Sequence, residues 1–298
     1  VAVLSFMFMQ LAPGGPDALF ARNGRMSQEQ LDAIKHNMGL DRPAYMQFLI
    51  WLRNLSQGNL GTSYFQNRPV LNVIWDVFPN TVYLMLVGLT ISLVTSLLFG
   101  VLAATRPYGL FDTVTSFLSY FGLAMPVFWF GLMLQILFAV KLGWLPSASM
   151  HSALDTGFVD LLKHMLLPAL TIAIGSIASW SRYVRSSTLE ALAQDYVRTA
   201  RAKGMREQGV LWGHVLRNAL IPFVTVVAID IPLYLTGAVL TETVFSWPGM
   251  GRLFFDSLTK RDYPVLMGVL LLGALLIVIG NLIADVLYGV LDPRIKYA

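Results

Sequence analysis

Residues 182–218 read RYVRSSTLEALAQDYVRTARAKGMREQGVLWGHVLRN and form the longest polar interruption in the second half of an otherwise apolar sequence. We call them the basic segment, because they contain seven arginines and lysines against three acidic residues. Gly204 predicts the end of a helix, since glycine readily adopts the left-handed conformation that closes helices. A stripe before it has the spacing of one face of an amphipathic helix: Leu189, Leu192, Tyr196 and Ala200. Because apolar residues resume at Val210, the segment is predicted to fold as helix, glycine turn and helix.

The composition places the chain in a membrane. With 56% hydrophobic and 13% charged residues, it is too apolar for an ordinary soluble domain. Five apolar runs are candidates to cross a hydrocarbon core of about 30 Å: residues 82–104, 113–142, 165–181, 219–245 and 264–291. Residues 1–12 are interpreted as the remnant of a truncated first membrane helix. The prediction is therefore an all-α membrane protein with six transmembrane helices.

The sequence predicts a polar loop before the transmembrane domain. Residues 13–78 form this loop, with short helices that include one over 45–55, ending at Gly58, and one over 70–78 along the membrane interface. Residues 79–298 form the transmembrane domain. The density of arginine and lysine favours a cytoplasmic basic segment and C-terminus, which makes the loop extracytoplasmic.

Several function classes are disfavoured by what the sequence lacks. The basic residues are not interleaved with aromatics, so no nucleic-acid partner is predicted. The sequence contains no cysteine, and its four histidines show no metal-ligand spacing, so no metal site is predicted. No motif of a serine hydrolase, zinc protease or P-loop ATPase occurs, so no catalytic residue is predicted.

The sequence DYVRTARAKG at residues 195–204 resembles the "EAA loop" of permease subunits of ABC importers, in its dipeptide/oligopeptide variant. Arg198 and Thr199 stand where Glu and Ala are usual, and Arg217 stands where Pro is usual, as is common in the peptide branch. Further motifs of the peptide permeases occur in order along nearly the whole chain: APG at 12–14, GLDRP at 39–43, GNLGTS at 58–63, RPV at 68–70, TETVFSWPGMG at 241–251, RDYP at 261–264 and DPR at 292–294.

This resemblance implies the type I ABC importer permease fold of the B-type subunit, with a cytoplasmic coupling helix that docks on an ATPase subunit. The residues expected to couple to the ATPase are Asp195, Tyr196, Arg198, Thr199, Ala200, Arg201, Ala202, Lys203 and Gly204. Trp247, Pro248 and Gly249 of the last outer loop are expected to contact a binding protein. The implied partners are a second homologous permease, two ABC ATPase subunits that hold ATP and Mg²⁺, an extracytoplasmic solute-binding protein and the lipid bilayer. The implied location is the cytoplasmic (inner) membrane of a bacterium or archaeon.

Polar residues inside the apolar runs are candidates for the translocation pathway. An acidic side chain costs about 2.5–3.5 kcal/mol at the centre of a membrane helix, so each one needs a reason to be there. Asp230 either meets the amino group of a peptide or makes a polar contact to a neighbouring helix or to backbone freed by Pro232. Gln135 and Glu242 are weaker candidates, and Asp285 is expected to be structural.

The resemblance favours uptake of di- or oligopeptides by alternating access. Nickel, glutathione, haem and oligosaccharides are alternative substrates, because related permeases carry them and the binding protein largely sets specificity. A proton-coupled secondary transporter using Asp230, Glu242 and Asp285 is an alternative of another class, as is a scaffold or sensor that moves no substrate. The secondary transporter leaves the basic segment unexplained, and the scaffold or sensor predicts no substrate flux.

Overall fold

The computed structural model describes residues 41–235 and 239–291, together with Val3, Phe6, Met7 and His36. Of the predicted remnant helix over residues 1–12, only Val3, Phe6 and Met7 are described. The tail after residue 291 lies outside the described residues. The described residues are mostly helical, and their only bridge between extended segments is an isolated pair, Thr62 with Pro69. The prediction of an all-α fold is confirmed.

The helices are numbered in chain order. The first four are α1 (Ala44–Ser56), α2 (Val70–Thr105), α3 (Leu110–Ala124) and α4 (Val127–Leu134), the last continuing as a π-helix over Gln135–Lys141. The middle group comprises α5 (Phe158–Leu192), α6 (Asp195–Ala202), α7 (Glu207–Val210), a π-helical turn over Leu211–Val215 and α8 (Leu216–Leu235). The last group comprises α9 (Val239–Val244), α10 (Met250–Lys260) and α11 (Tyr263–Leu291).

The segment around residue 70 differs from the prediction. The short interfacial helix predicted over 70–78 is the first part of α2, which runs unbroken through Pro79 into the first apolar run. α1, in contrast, ends as predicted near Gly58, whose φ of 75° is the left-handed conformation that favours glycine.

Four described helical stretches are long and apolar enough to cross a membrane: Val70–Thr105, Phe158–Leu192, Glu207–Asp230 and Tyr263–Ile283. The first two are α2 and α5, the third joins α7, the π-helical turn and most of α8, and the fourth is the larger part of α11. α3 and the stretch Val127–Lys141 would make a fifth span together, but they are bent by 110°. Met125 at the bend is extended (φ −88°, ψ 130°), the conformation that a following proline imposes. The predicted apolar run 113–142 is therefore sharply broken at Pro126.

The chain divides into two compact units. The first comprises residues up to Thr81 together with Pro248–Leu276, and its core joins Val70, Ile74 and Val265. The second comprises Val82–Trp247 and the residues from Ile277 onward. In its core, the fully buried Trp180 packs with Val184 and Phe223.

A glycine sets the distance between α2 and α5 in the second unit. A Cβ added at Gly100 would lie 2.6 Å from Cβ of Val184 and 2.7 Å from the carbonyl oxygen of Ser181. Small residues of this kind allow membrane helices to approach closely. The contact fixes α2 against the part of α5 that leads into the basic segment.

Candidate functional site

The apolar stripe of the basic segment was predicted to form one helix, but it is divided between two. Leu189 and Leu192 belong to the end of α5, whereas Tyr196 and Ala200 belong to α6. The helices are separated at Gln194, whose backbone is extended (φ −76°, ψ 151°). The prediction of a single amphipathic helix across this stripe is therefore wrong. The helix, turn and helix around Gly204 are present, as α6, the turn and α7.

One face of α6 is packed against its neighbours. Val197 and Ala200 are buried in a cluster of small apolar side chains that also includes Ala191 of α5, Val210 of α7, Val215 and Ala219. Small side chains bring the helices close and leave little freedom for α6 to shift. The cluster therefore joins α6 to the ends of α5 and α8.

The turn after α6 is closed by a specific set of backbone hydrogen bonds. Gly204, at φ 77°, donates its N–H to the carbonyl of Arg201 at 2.9 Å, and Met205 donates to the carbonyl of Ala200 at 3.3 Å. This pair of bonds is the Schellman motif, which requires a left-handed residue at the position of Gly204. The Arg201 guanidinium adds two parallel bonds to the Glu207 carboxylate, at 2.9 and 3.0 Å.

The outer face of α6 and the turn presents most of the predicted coupling residues. All of them except Ala200 are exposed, and Ala200 instead holds α6 against the cluster beneath it. Arg198 lies 3.4 Å from Asp195. Within the described part of the chain, Lys203 and Arg206 form no ion pair. The result is an exposed, positively charged surface, suited to binding another protein.

A second polar cluster lies within the apolar part of the second unit. The Asp230 carboxylate on α8 accepts a hydrogen bond of 2.6 Å from the indole N–H of Trp180, a fully buried residue of α5. The Tyr234 hydroxyl donates to Ser176 of α5 and lies 3.3 Å from the hydroxyl of Ser92 on α2. Of the two roles considered for Asp230, the structure shows the contact to a neighbouring helix, and the pathway role stays a prediction.

Gln135 and Glu242 occupy positions that hold segments together. The Gln135 amide donates to the carbonyls of Ser147 at 2.7 Å and Val244 at 3.1 Å, which ties the start of the π-helix to a loop and to α9. Glu242 on α9 is completely buried. The structure brings Gln135 near the end of α9, and the pathway roles of Gln135 and Glu242 stay predictions.

The predicted outer-loop contact residues differ in exposure. Trp247 is 0% exposed and packs with Leu84, Met165 and Ala169. Its side chain therefore fills the core, and its predicted contact with a binding protein stays a prediction. Pro248 is half-buried, and its carbonyl accepts a hydrogen bond of 2.9 Å from Asn80. Together with Gly249 it stays a predicted contact.

The RDYP motif has a structural role in the first unit that the sequence did not reveal. Its Asp262, 3% exposed, accepts a hydrogen bond of 2.5 Å from the Ser63 hydroxyl and one of 3.1 Å from the N–H of Tyr64. Burial, together with the negative charge of Asp262, raises the pKa of the Tyr64 phenol to about 12. The motif therefore fastens the loop around residue 63 to the start of α11.

Comparison with known proteins agrees with this geometry. Residues 96–297 match the family described as the binding-protein-dependent transport system inner membrane component, and residues 1–85 match the N-terminal part of such components. The chain belongs to this family. It is accordingly a multi-pass membrane component of a transport system, and α6 with its turn lies within the matched region.

Curated relatives of this transport component align over its whole length. The oligopeptide transport system permease protein AppB of Bacillus subtilis (strain 168) is 45% identical, with 100% of this chain and 94% of the relative covered. The di/tripeptide transport system permease protein DppB of Pseudomonas aeruginosa (strain UCBPP-PA14) is 39% identical, with the same shares covered. The dipeptide transport system permease protein DppB of Escherichia coli (strain K12) is 36% identical, again with 100% and 94% covered.

Solved structures of ABC importers share the fold of the component. An inward-facing structure of the MetNI methionine ABC transporter matches with a TM-score of 0.59 and 17% identity, over 74% of this chain and 96% of that chain. A crystal structure of an amino acid ABC transporter with histidines matches with a TM-score of 0.55 and 14% identity, over 73% and 94%. At such identities the likeness concerns the fold alone, and it supports the predicted importer permease architecture.

An ion pair at the start of the basic segment of this transport component was not predicted from the sequence. Asp112, at the start of α3 and 3% exposed, accepts hydrogen bonds from Nε and Nη2 of Arg185 at 2.5 and 2.7 Å. The Tyr108 N–H donates to the same carboxylate at 2.8 Å. The pair fastens α3 to the part of α5 where the basic segment begins. The available signal was an acidic residue three positions after Gly109, in a chain whose basic segment could supply its partner.

Proposed function

We propose that the chain is the permease subunit of an ATP-driven ABC importer that takes up di- and oligopeptides delivered by a solute-binding protein. The alignment of peptide permeases over the whole chain, at 36–45% identity among the three relatives named above, is the observation that carries this proposal. The complex contains a second permease and two ATPase subunits, which hold ATP and Mg²⁺, in a cytoplasmic membrane.

Within this complex α6 is the coupling helix. Its exposed face docks on an ATPase subunit, and its buried face transmits the closure of the ATPase dimer to α5 and α8 through Val197 and Ala200. The Schellman turn supports this role, because it fixes the end of α6 at the point where force must pass. Alternating access of the membrane helices follows from the movement of α5 and α8.

Asp230 is the proposed contact for the peptide amino group. One of its carboxylate oxygens accepts the Trp180 N–H, and in the described residues the other has no hydrogen-bond donor. Asp230→Asn should abolish uptake of peptides with a free amino group, since the amide lacks the charge. N-acetylated peptides should then be carried equally by variant and wild type. Equal uptake of free and acetylated peptides by both proteins would remove Asp230 from the pathway.

The function is tested with the complete complex in proteoliposomes. Uptake of a labelled tripeptide is measured with loaded binding protein, with or without ATP on the side of the ATPase subunits, and with or without a protonophore. We expect uptake that requires ATP and survives the protonophore. Uptake that needs no ATP and collapses with the protonophore would support the proton-coupled transporter instead.

A competition experiment separates the possible substrates. Unlabelled di- and oligopeptides should reduce uptake of the labelled peptide, whereas nickel, glutathione, haem and oligosaccharides should leave it unchanged. If one of these solutes is itself taken up with ATP and peptides are not, the chain belongs to an ATP-driven importer whose substrate is not a peptide.

A further inference from the structure

A polar pocket of about 510 Å³ opens between α3 and the part of α5 where the basic segment begins. Two arginines, two tyrosines and three serines line it, and none of its lining residues is acidic. Its hydroxyl groups include those of Ser116 and Ser179, both half-buried. Hydroxyl and guanidinium groups together are donors suited to the oxygens of an anion.

The uncompensated charge in this pocket belongs to Arg182. The charge of Arg185 is met by Asp112 in the ion pair described above. Arg182 has no acidic partner in the described part of the chain, and its guanidinium lies 4.5 Å from the centre of the Tyr120 ring. Stacking on an aromatic face holds the guanidinium while its N–H donors stay available.

The position of the pocket along α5 matches a membrane surface. Residues 165–181 carry no Asp, Glu, Lys or Arg, and Arg182 is the first charged residue after them. Tyr120 and Tyr183, both on the rim and both exposed, are of the amphipathic type that favours the level of lipid headgroups. The pocket is therefore placed where phosphates of a bilayer lie.

An exposed apolar surface continues from the pocket along α3. Phe117 and Phe121 lie on the side of α3 that carries Tyr120, are 67% and 52% exposed, and stack with their ring centres 6.3 Å apart. A lipid with its phosphate at Arg182 could lay an acyl chain along these rings. A free inorganic anion would use the polar pocket alone and would leave this surface uncovered.

We propose that the pocket around Arg182 binds the phosphodiester of an anionic phospholipid. Basic pockets between membrane helices recognise such headgroups, and one positive charge near the surface contributes about a fivefold preference. The bound lipid would lie against α3 and the part of α5 that leads into α6. The proposal requires only that the protein is in a membrane, so it does not depend on the transported substrate.

The test counts lipid retained by the purified complex. The complex is placed in nanodiscs of phosphatidylethanolamine containing phosphatidylglycerol, released into detergent, and examined by native mass spectrometry. Arg182→Gln should retain about fivefold less phosphatidylglycerol than wild type, in line with the loss of one charge. Arg182→Lys should retain an intermediate amount, because lysine binds phosphate as a point charge without the flat guanidinium.

Arg106→Gln is the matched control, since Arg106 is exposed just before α3 but does not line the pocket. It should retain as much phosphatidylglycerol as wild type. Equal losses in Arg106→Gln and Arg182→Gln, or no loss in Arg182→Gln, would overturn the proposal. Absence of phosphatidylglycerol from the wild-type complex would also overturn it, because a neighbouring subunit would then cover the pocket.

A final arm separates a lipid from a free anion. Inorganic phosphate is titrated into the lipid-depleted complex and its binding is followed by calorimetry, for wild type and Arg182→Gln. It is also added at millimolar concentration to the wild-type complex that retains phosphatidylglycerol, and the lipid that remains bound is counted by native mass spectrometry. Binding of phosphate that depends on Arg182 and displaces phosphatidylglycerol at millimolar concentration would identify a small-anion site and overturn the lipid proposal. No displacement is the expected result.

Discussion

The turn after α6 and the turn after α9 use their side chains in opposite ways. Each contains a residue with positive φ, Gly204 at 77° and Ser246 at 50°. After α6, the side chains project outward and only the helix face beneath is buried. After α9, Phe245 and Trp247 point inward and are 2% and 0% exposed. Both turns carry motifs of the permease family, so a motif marks a place in the fold without telling whether its residues bind a partner or fill the core.

The largest effect is expected from Trp247→Ala. Removing a fully buried indole leaves a cavity, which costs about 3–5 kcal/mol. The complex should then unfold at a clearly lower temperature in detergent, as followed by size-exclusion chromatography after heating.

Trp144→Ala is the control for that variant, because Trp144 is 67% exposed. It should change the unfolding temperature little. If Trp247→Ala kept the stability of the control but lost binding of the solute-binding protein, Trp247 would be a contact residue and the contrast between the two turns would fail.

A smaller effect is expected from Gly204→Val. A Cβ added at Gly204 meets no atom within 4 Å, so the cost comes from the backbone conformation rather than from crowding. A left-handed residue with a side chain costs about 1–2 kcal/mol, and a β-branched one is especially unfavourable there. ATP-dependent peptide uptake should fall steeply while the protein still inserts.

Gly204→Asn separates conformation from chemistry, since asparagine tolerates the left-handed region better than other non-glycine residues. Its uptake should stay close to wild type. Equal loss in both variants would mean that the surface of the turn, rather than its shape, is what matters.

The membrane fold could be predicted from the sequence because apolar runs long enough to cross a bilayer rarely occur outside transmembrane helices. The division between α5 and α6 could not be predicted. Leu189, Leu192, Tyr196 and Ala200 keep a helical spacing across the break at Gln194, so the pattern continues although the helix does not. A periodic pattern indicates which side chains point in the same direction. It does not reveal a break after which the next helix continues with its side chains in those same directions.

The surroundings of individual residues were harder to predict, for a different reason. Trp247 is of a residue type that serves equally in cores and in docking surfaces, and only the packing decides. The Asp112–Arg185 pair joins residues far apart in the chain, a distance that no local pattern covers. Gly204, in contrast, was identified correctly because a left-handed helix end constrains the residue type itself.

A still smaller effect on stability is expected from breaking the ion pair across the turn after α6. Both side chains are substantially exposed, 44% for Arg201 and 72% for Glu207, and such pairs contribute about 0.2–1 kcal/mol. Arg201→Gln and Glu207→Gln should each lower the unfolding temperature slightly, and high salt should remove the difference from wild type. A double-mutant cycle with both changes measures the pair itself, and a coupling energy near that of a buried pair would show that the turn is less solvated than its exposure indicates.

The smallest effect on stability, and the sharpest contrast with Trp247, is expected from Tyr196→Ala. Tyr196 lies on the outer face of α6 and is 37% exposed, so its truncation should change the free energy of unfolding by no more than about 0.5 kcal/mol. Binding of the ATPase subunits should nevertheless weaken by at least about 1 kcal/mol, because exposed tyrosines are frequent anchors of protein interfaces.

Trp212→Ala provides the comparison within the same segment. Trp212 is 68% exposed but lies outside residues 195–204, so its loss should leave ATPase binding unchanged. Pull-down of the ATPase subunits with each purified permease variant measures both effects. If Trp212→Ala weakens binding as much as Tyr196→Ala does, the docking surface extends beyond α6, and the whole basic segment must be treated as the interface. If Tyr196→Ala binds normally but unfolds early, its ring belongs to the packing beneath α6, and the two turns are alike after all.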